Sequence, residues 1–411
     1  MSSAIKKVAT KAVFFEFPAN KHQFLREVEV SPSLTALWGK STRSAEEINA
    51  ESTYPDVIKS RKDIFEEIKV ANSDAGAFSL KFKQGLTYAK AIGSFYKEGI
   101  KKVGRASKER RFLINNVSLT NQLNNKNKTV SIKVKNFNKL TLEMTQALSM
   151  ENIQTNQSGS ENYVKRKLTD DRLFVLPRVG YQILKRNPSD QIKIPIFAIL
   201  ALIFMESTPI LCYYVPEITP RTCVLPSILP ALWNTSSSTA LTSLRQKRYS
   251  PTKYEDLAHK NAFNLPLDEA QYLAKALRLI PRHIPTFLVP EIYIRRKLKH
   301  YHNYLRVDNH YLSGMNGKGS CNIWDLSTQE LLIACLERNL ILDIKKDLAY
   351  IEEGKTVVER QTRSADYFDD LRIRLFKFII DFHKFNIGYL GVNHLLNSKV
   401  DPKIINSWRS L

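Results

Sequence analysis

The side chain with the clearest potential for chemistry is a carboxylate in an apolar setting. From Ile194 to Met205 the chain carries no charge; Glu206 follows, then Ser207, Thr208 and Pro209, and a second apolar run, Ile210 to Val215, closes the segment. An acid placed there must be protonated, paired or turned toward protein, and inside a membrane such a group can carry protons. As one helix, residues 194–215 would reach about 33 Å at 1.5 Å each, enough to cross a bilayer core. The Ile, Leu, Phe and Val side chains favour insertion by roughly 3–6 kcal/mol, and a central carboxylate opposes it by about 3. The segment therefore spans a membrane if Glu206 is neutralised; otherwise it is a buried helix kinked at Pro209. Both readings stand at this level.

Other arrangements offer less. His300 and His302 are two residues apart, which separates them around a helix, so a metal site is not expected there. Asp369-Asp370 and Glu352-Glu353 are adjacent pairs on charged segments and read as solvated faces. Cys212, Cys223, Cys321 and Cys335 lie far apart with no CxxC pair, as expected of reduced, packed thiols. No GxSxG, P-loop, GxGxxG or HExxH pattern occurs. The expectation is a non-enzymatic chain with no cofactor.

What remains is charge. Sixty-two Lys and Arg against 40 Asp and Glu leave a formal net charge of +22 in 411 residues. That predicts attraction to polyanions such as nucleic acid, a ribosome surface or anionic lipid, without choosing among them. The densest candidate surface is Arg295, Arg296, Lys297 and Lys299, with Arg306 further along and Tyr301 and Tyr304 near enough to stack on bases. The competing reading is that these charges keep an ordinary helix soluble.

The elements that would position these residues are helical. Met1–Phe15 has no acid and carries Lys6, Lys7 and Lys11, the composition of a mitochondrial presequence without its arginines. Residues 1–77 read as a targeting and irregular region. In 78–113, Phe82, Leu86, Ala89 and Ile92 or Gly93 recur at helical spacing and continue to Tyr96 and Ile100, with Lys and Arg elsewhere. This predicts a basic amphipathic helix, either packed or lying on a membrane or RNA. Residues 114–162, rich in Asn, Gln, Ser and Lys, read as a flexible polar insertion. Prolines at 216, 220, 226 and 230 exclude a long helix after the apolar segment, and 234–253 reads as a Ser/Thr-rich loop.

Beyond residue 260 only helices are expected. Asp268 is placed to cap DEAQYLAKALRLI. Ile294, Leu298, Tyr301 and Leu305 make one stripe. Ser327 with Glu330 forms a capping box, flanked by Leu326 and Leu331 for a hydrophobic staple. Phe368, Leu371, Leu375, Phe378 and Phe382 make a last core stripe, after an insertion at 343–363. The fold class is all-α.

Three segments resemble the LETM family, the leucine-zipper and EF-hand transmembrane proteins of the mitochondrial inner membrane. They are the apolar stretch with Glu206 and Pro209 and its proline-punctuated exit at Pro216 and Pro220; the basic helix Ile294–Leu298, leading through Asp308 to the loop Gly314–Gly319; and Leu326–Leu331 with Ala334, Cys335 and Arg338. The exit lacks the family's asparagine and serine, and no zipper or calcium loop follows. The resemblance implies one membrane-spanning helix and a ribosome-binding-like domain within 163–411, with that domain facing the matrix. The implied partners are the mitochondrial ribosome, inner-membrane lipids and a second copy of the chain. The implied role is ribosome attachment or potassium/proton exchange; the alternative, should the apolar segment not enter a membrane, is a soluble mitochondrial RNA-binding protein.

Overall fold

The computed structural model describes residues 44–59, 61–72, 76–116, 118–120, 129–131, 136–157, 176–204, 212, 214–225, 228–233, 235–281, 284–313, 323–382 and 385–396. The basic N-terminus, Glu206, Pro209, Cys321 and the Gly314–Gly319 loop lie outside the described residues. The α-helices of six or more described residues are α1 (Arg61–Ala71), α2 (Ala77–Asn116), α3 (Phe137–Gln157), α4 (Arg178–Phe204), α5 (Thr235–Arg248), α6 (Tyr254–His259), α7 (Leu267–Ala276), α8 (Glu291–Leu312), α9 (Thr328–Glu337), α10 (Ile344–Glu352) and α11 (Val357–Phe382). One short antiparallel pair, β1 (Ser118–Thr120) and β2 (Thr129–Ser131), sets Leu119 opposite Val130. With α3, this pair gives the polar segment 114–162 more regular structure than its composition suggests.

The 3.6-residue pattern places the core. Ile294, Leu298, Tyr301 and Leu305 of α8 are buried as a stripe, and Leu371, Leu375, Phe378 and Phe382 of α11 do the same. Helices α3 and α7 pack on α8, and α9 and α10 pack on α11. One cluster of buried apolar side chains extends from Ile48 to Val392. Helices α2 and α4 run antiparallel: Asn187 donates to Ser107 (3.3 Å), while Tyr96 meets Phe197 with ring centres 5.8 Å apart.

Local chemistry sets several boundaries. Ser327 Oγ accepts the Glu330 N–H (3.3 Å) and caps α9, with Leu326 and Leu331 buried on either side. The return half of the expected capping box is absent, because the Ser327 N–H donates to Asn49 Oδ1 (2.8 Å) and the Glu330 carboxylate is used elsewhere. Helix α7 starts one residue before Asp268, after Pro266, and Asp268 pairs with Arg248 instead of capping. The Ser/Thr-rich segment expected as a loop is helix α5. Its Thr242 hydroxyl donates back to the Ser238 carbonyl (2.9 Å), and burial of Leu241 and Arg245 outweighs weak propensity. The segment 343–363 is likewise helical: Asp343 caps α10, and α11 begins at Val357.

Among the described residues, no helix is long and apolar enough to cross a membrane. Helix α4 shows why the expected span at 194–215 is not met. Among the described residues its uncharged part runs from Ile194 to Phe204, about 16 Å of rise against a hydrocarbon core of about 30 Å, and residues 205–211 of the expected span lie outside them. The preceding turns carry Arg178, Lys185, Arg186, Asp190 and Lys193 into the protein core or its edge. Further along, Pro216 opens a single 3-10 turn at Pro216–Ile218 and Pro220 precedes another at Arg221–Cys223, both prolines being buried.

Candidate functional site

Helix α4 has two unlike ends. In its first turns Arg178, Gln182, Lys185 and Arg186 recur at helical spacing and point into the protein. They meet Tyr301, Tyr304 and Asp308 of α8 and Glu330, Glu337 and Arg338 at α9. Arg178 Nε donates to Asp308 Oδ1 (2.7 Å), and its Nη1 lies 2.8 Å from Glu330 Oε1. Arg186 grips both Glu330 oxygens (2.8 and 2.9 Å), and Arg338 reaches Asp308 Oδ2 (2.6 Å). Gln182 adds a further donor to Asp308 (2.6 Å). Charges withdrawn from water in this way are stable only when each has partners of good geometry, a condition met here.

Lys185 extends the network. Its ammonium sits 2.9 Å from Glu337 Oε1 and 3.1 Å above the Tyr304 ring, whose hydroxyl donates to Glu337 Oε2 (2.6 Å). Burial alone would raise the Glu337 carboxyl, but Lys185, Arg186 and Arg221 reverse this and hold it at about 2. Asp308 is held well below the usual carboxylate range: burial opposes ionisation, and Arg178 and Arg338 overcome it. These groups satisfy one another, apart from Arg186 Nε, which is buried without a hydrogen-bond partner among the described residues. Their chemical work is to fix how α4, α8 and α9 fit together.

The far end of α4 is the opposite. Ile192, Ile196, Ile199 and Ile203 form a stripe at intervals of four, three and four, and all are exposed, Ile203 by 67%. Helix α2 repeats the pattern. Phe78, Phe82 and Leu86 are exposed, Phe78 by 86%, and Ala89, Gly93 and Ile100 continue the same lane. The apolar stripe expected to be buried if α2 is an ordinary packed helix is therefore largely uncovered. The opposite side of α2 is held by Phe95, Gly99, Lys102, Val103 and Ala106. Because the two helices are antiparallel, the C-terminal end of α4 lies toward the N-terminal half of α2. Lys81, Lys83, Lys90 and Lys97 are exposed along α2 between the apolar residues.

The residues expected to contact phosphates are divided. Arg296, Lys297 and Lys299 are exposed on α8. Arg295 is turned inward: Nε donates to Glu291 (2.6 Å) and Nη1 to the carbonyls of Ala262, Phe263 and Leu265. Arg306 is half-buried, and burial lowers its pKa. Tyr301 and Tyr304 are buried and bonded to Glu337, so they do not stack on bases. In the last motif Glu330 and Arg338 are parts of the ion network, while Leu331, Ala334 and Cys335 are core. The network escaped the sequence reading because Arg178, Lys185, Arg186 and Glu337 sit among charges that look solvated. The spacing of Arg178, Gln182, Lys185 and Arg186 was the available signal.

Residues 48–314, more than half of the chain, match the PNT1, pentamidine resistance factor, domain. Comparison with curated proteins and with solved structures finds no match. The domain match overturns the LETM resemblance. The features behind that resemblance, a proline-rich exit, a basic helix and a capped helix, are general devices of helical bundles. Ion exchange loses its support with it. The domain match suggests a mitochondrial protein. The chain belongs to the pentamidine resistance factor family.

Proposed function

We propose that this chain is a non-catalytic mitochondrial protein that seats on the inner membrane through the uncovered apolar faces of α2 and α4. The ion-locked bundle behind them acts as a rigid base. The observation that carries the reading is the exposure of Phe78, Phe82 and Leu86 together with Ile196, Ile199 and Ile203. Large contiguous apolar surface rimmed by polar residues marks interaction sites. Moving such side chains out of water favours binding by roughly 1.5–3 kcal/mol each, and each nearby Lys adds about 1 kcal/mol at an anionic surface. A helix with Phe and Leu on one side and Lys beside them suits the interface of a bilayer without crossing it.

Vesicle flotation tests this. The protein should float with vesicles containing phosphatidylglycerol, and Phe82→Glu with Ile199→Glu should leave it at the bottom while its circular dichroism is unchanged. If the double variant floats as well as the parent, or the parent stays unbound, the membrane reading fails. Dimerisation through the same faces is the competing outcome, seen as a mass change on size-exclusion that the double variant abolishes.

A second reading is supported by the exposure of Arg296, Lys297 and Lys299 on α8. These side chains suit contact with the phosphates of RNA in the mitochondrial ribosome, and counterion release would make that binding weaken steeply with salt. Co-sedimentation with mitochondrial ribosomes that survives changing all three to Glu would remove it.

A further inference from the structure

Arg278 occupies a position that suits glycine. Helix α7 ends at Ala276, and the Leu279 N–H returns to the Ala274 carbonyl (2.9 Å) across Arg278, whose φ is 58°. That left-handed site after a helix is commonly glycine, because a side chain there crowds its own backbone. A strained residue persists where the surrounding structure holds it, and such residues cluster at binding sites. The guanidinium of Arg278 stands 5.0 Å from the Trp233 ring and makes no ion pair among the described residues.

Two more cations come from neighbouring elements: the turn Leu229–Leu232 beside Trp233 packs on Pro216–Ile218, and Pro216–Ile218 packs on α4. Lys193 comes from α4 and donates to the Thr219 carbonyl (3.2 Å); it too has no carboxylate within ion-pair distance among the described residues. Arg221 comes from the turn at Arg221–Cys223, is 30% exposed, and lies 4.0 Å from Glu337. Burial pulls the Arg278 guanidinium down to about 10, and Arg221 pulls in the same direction. Burial likewise brings Lys193 to about 8, with Arg278 and Arg221 repelling its charge. The acids nearby do not cancel this. Glu337 is held by Lys185 and Tyr304, and buried Asp190 accepts the Arg221 backbone N–H (3.1 Å). Glu217 forms no ion pair with any of the three.

We propose that Lys193, Arg221 and Arg278 together form a binding site for a phosphate group, with Trp233 beside Arg278. Three cations drawn from separate segments, two of them without a carboxylate partner among the described residues, are a good match for an anion with several acceptor oxygens. Arginine offers planar pairs of donors and lysine a compact charge. The phosphate of an anionic lipid head group and free phosphate would use the same contacts. The lipid source rests on the membrane reading above, because Lys193 lies one turn before the Ile196, Ile199 and Ile203 stripe.

The test uses the full chain and two variants, Arg278→Gly and Lys193→Gln. Glycine relieves the backbone at 278, so the first variant should fold at least as stably as the parent. Inorganic phosphate should raise the melting temperature of the parent above that in chloride at equal ionic strength, and both variants should lose the shift. The preference for vesicles with phosphatidylglycerol over phosphatidylcholine alone should fall about tenfold or more in both variants, the loss of one charge-assisted contact. A phosphate shift without that lipid preference assigns the site to free phosphate. Variants that keep the shift and the preference overturn the site. A parent that shows neither but still binds phosphatidylcholine vesicles sinks the site and leaves the membrane reading standing. A parent that shows the shift and binds no vesicle does the reverse.

Discussion

Arg178 and Asp308, 130 residues apart in sequence, meet through two hydrogen bonds of 2.7 and 3.3 Å with both side chains out of solvent. The first comes from the charged end of α4 and the second from α8, so this contact joins the two halves of the bundle. Changing Asp308 to Asn leaves Arg178 and Arg338 buried beside a neutral group. The expected cost is about 3–5 kcal/mol, read as a lower urea midpoint. The exposed pair Lys59–Glu67 provides the contrast: Glu67→Gln should cost less than about 1 kcal/mol.

Acid should unfold the protein in a defined window. The Glu337 carboxyl sits at about 2 in the folded chain, against an ordinary 4.5, and Asp308 is also lowered. The folded state therefore holds these protons less tightly than the unfolded state. Their contribution is fully present above about pH 4.5 and is lost as pH falls toward 2. Urea midpoints measured across that range should fall steadily. A flat profile would show that folding does not lower the pKa of either carboxylate.

The cap of α9 offers a smaller, local test. Replacing Ser327 by Ala removes the acceptor for the Glu330 N–H and a contact with the Tyr54 hydroxyl (3.0 Å). A loss of about 1 kcal/mol is expected in thermal or urea unfolding.

Two glycines should respond in opposite directions. A Cβ at Gly388 would overlap the Leu257 carbonyl oxygen, and Gly388→Ala should destabilise by about 1–3 kcal/mol through overpacking. Gly93 lies in the middle of α2 with nothing within 4 Å of the added carbon, so Gly93→Ala should stabilise by about 0.5–1 kcal/mol. Denaturant titration of both variants checks the pair.

Where spacing alone decides structure, the sequence was a good guide. The stripes of α8 and α11 and the Ser327 cap follow from side-chain period and one hydroxyl. Where tertiary context decides, it was not. Helix α5 is built from Ser and Thr and exists because Arg245 reaches buried Glu269 (2.8 Å), a partner no local window contains. The stripe of α2 was visible as apolar, but whether protein covers it depends on elements far away in the chain. Glu330 reads naturally as a capping-box acid, yet it serves Arg186 from 144 residues away. The strained Arg278 left one trace, a long charged side chain just past a helix end where glycine is common.

Helix α4 contains Pro188 and Pro195 and still runs unbroken from Arg178 to Phe204. A proline brings no N–H, so the carbonyls of Leu184 and Gln191 lack their usual helical donors. Two absent rungs within two turns make this stretch the softest length of the rod, positioned between the clamped charged half and the greasy half. Contacts with α2 run beside it and supply from a neighbour the support that the missing rungs withdraw. Any bend introduced into α4 should enter there, between its ionic half and its isoleucine half.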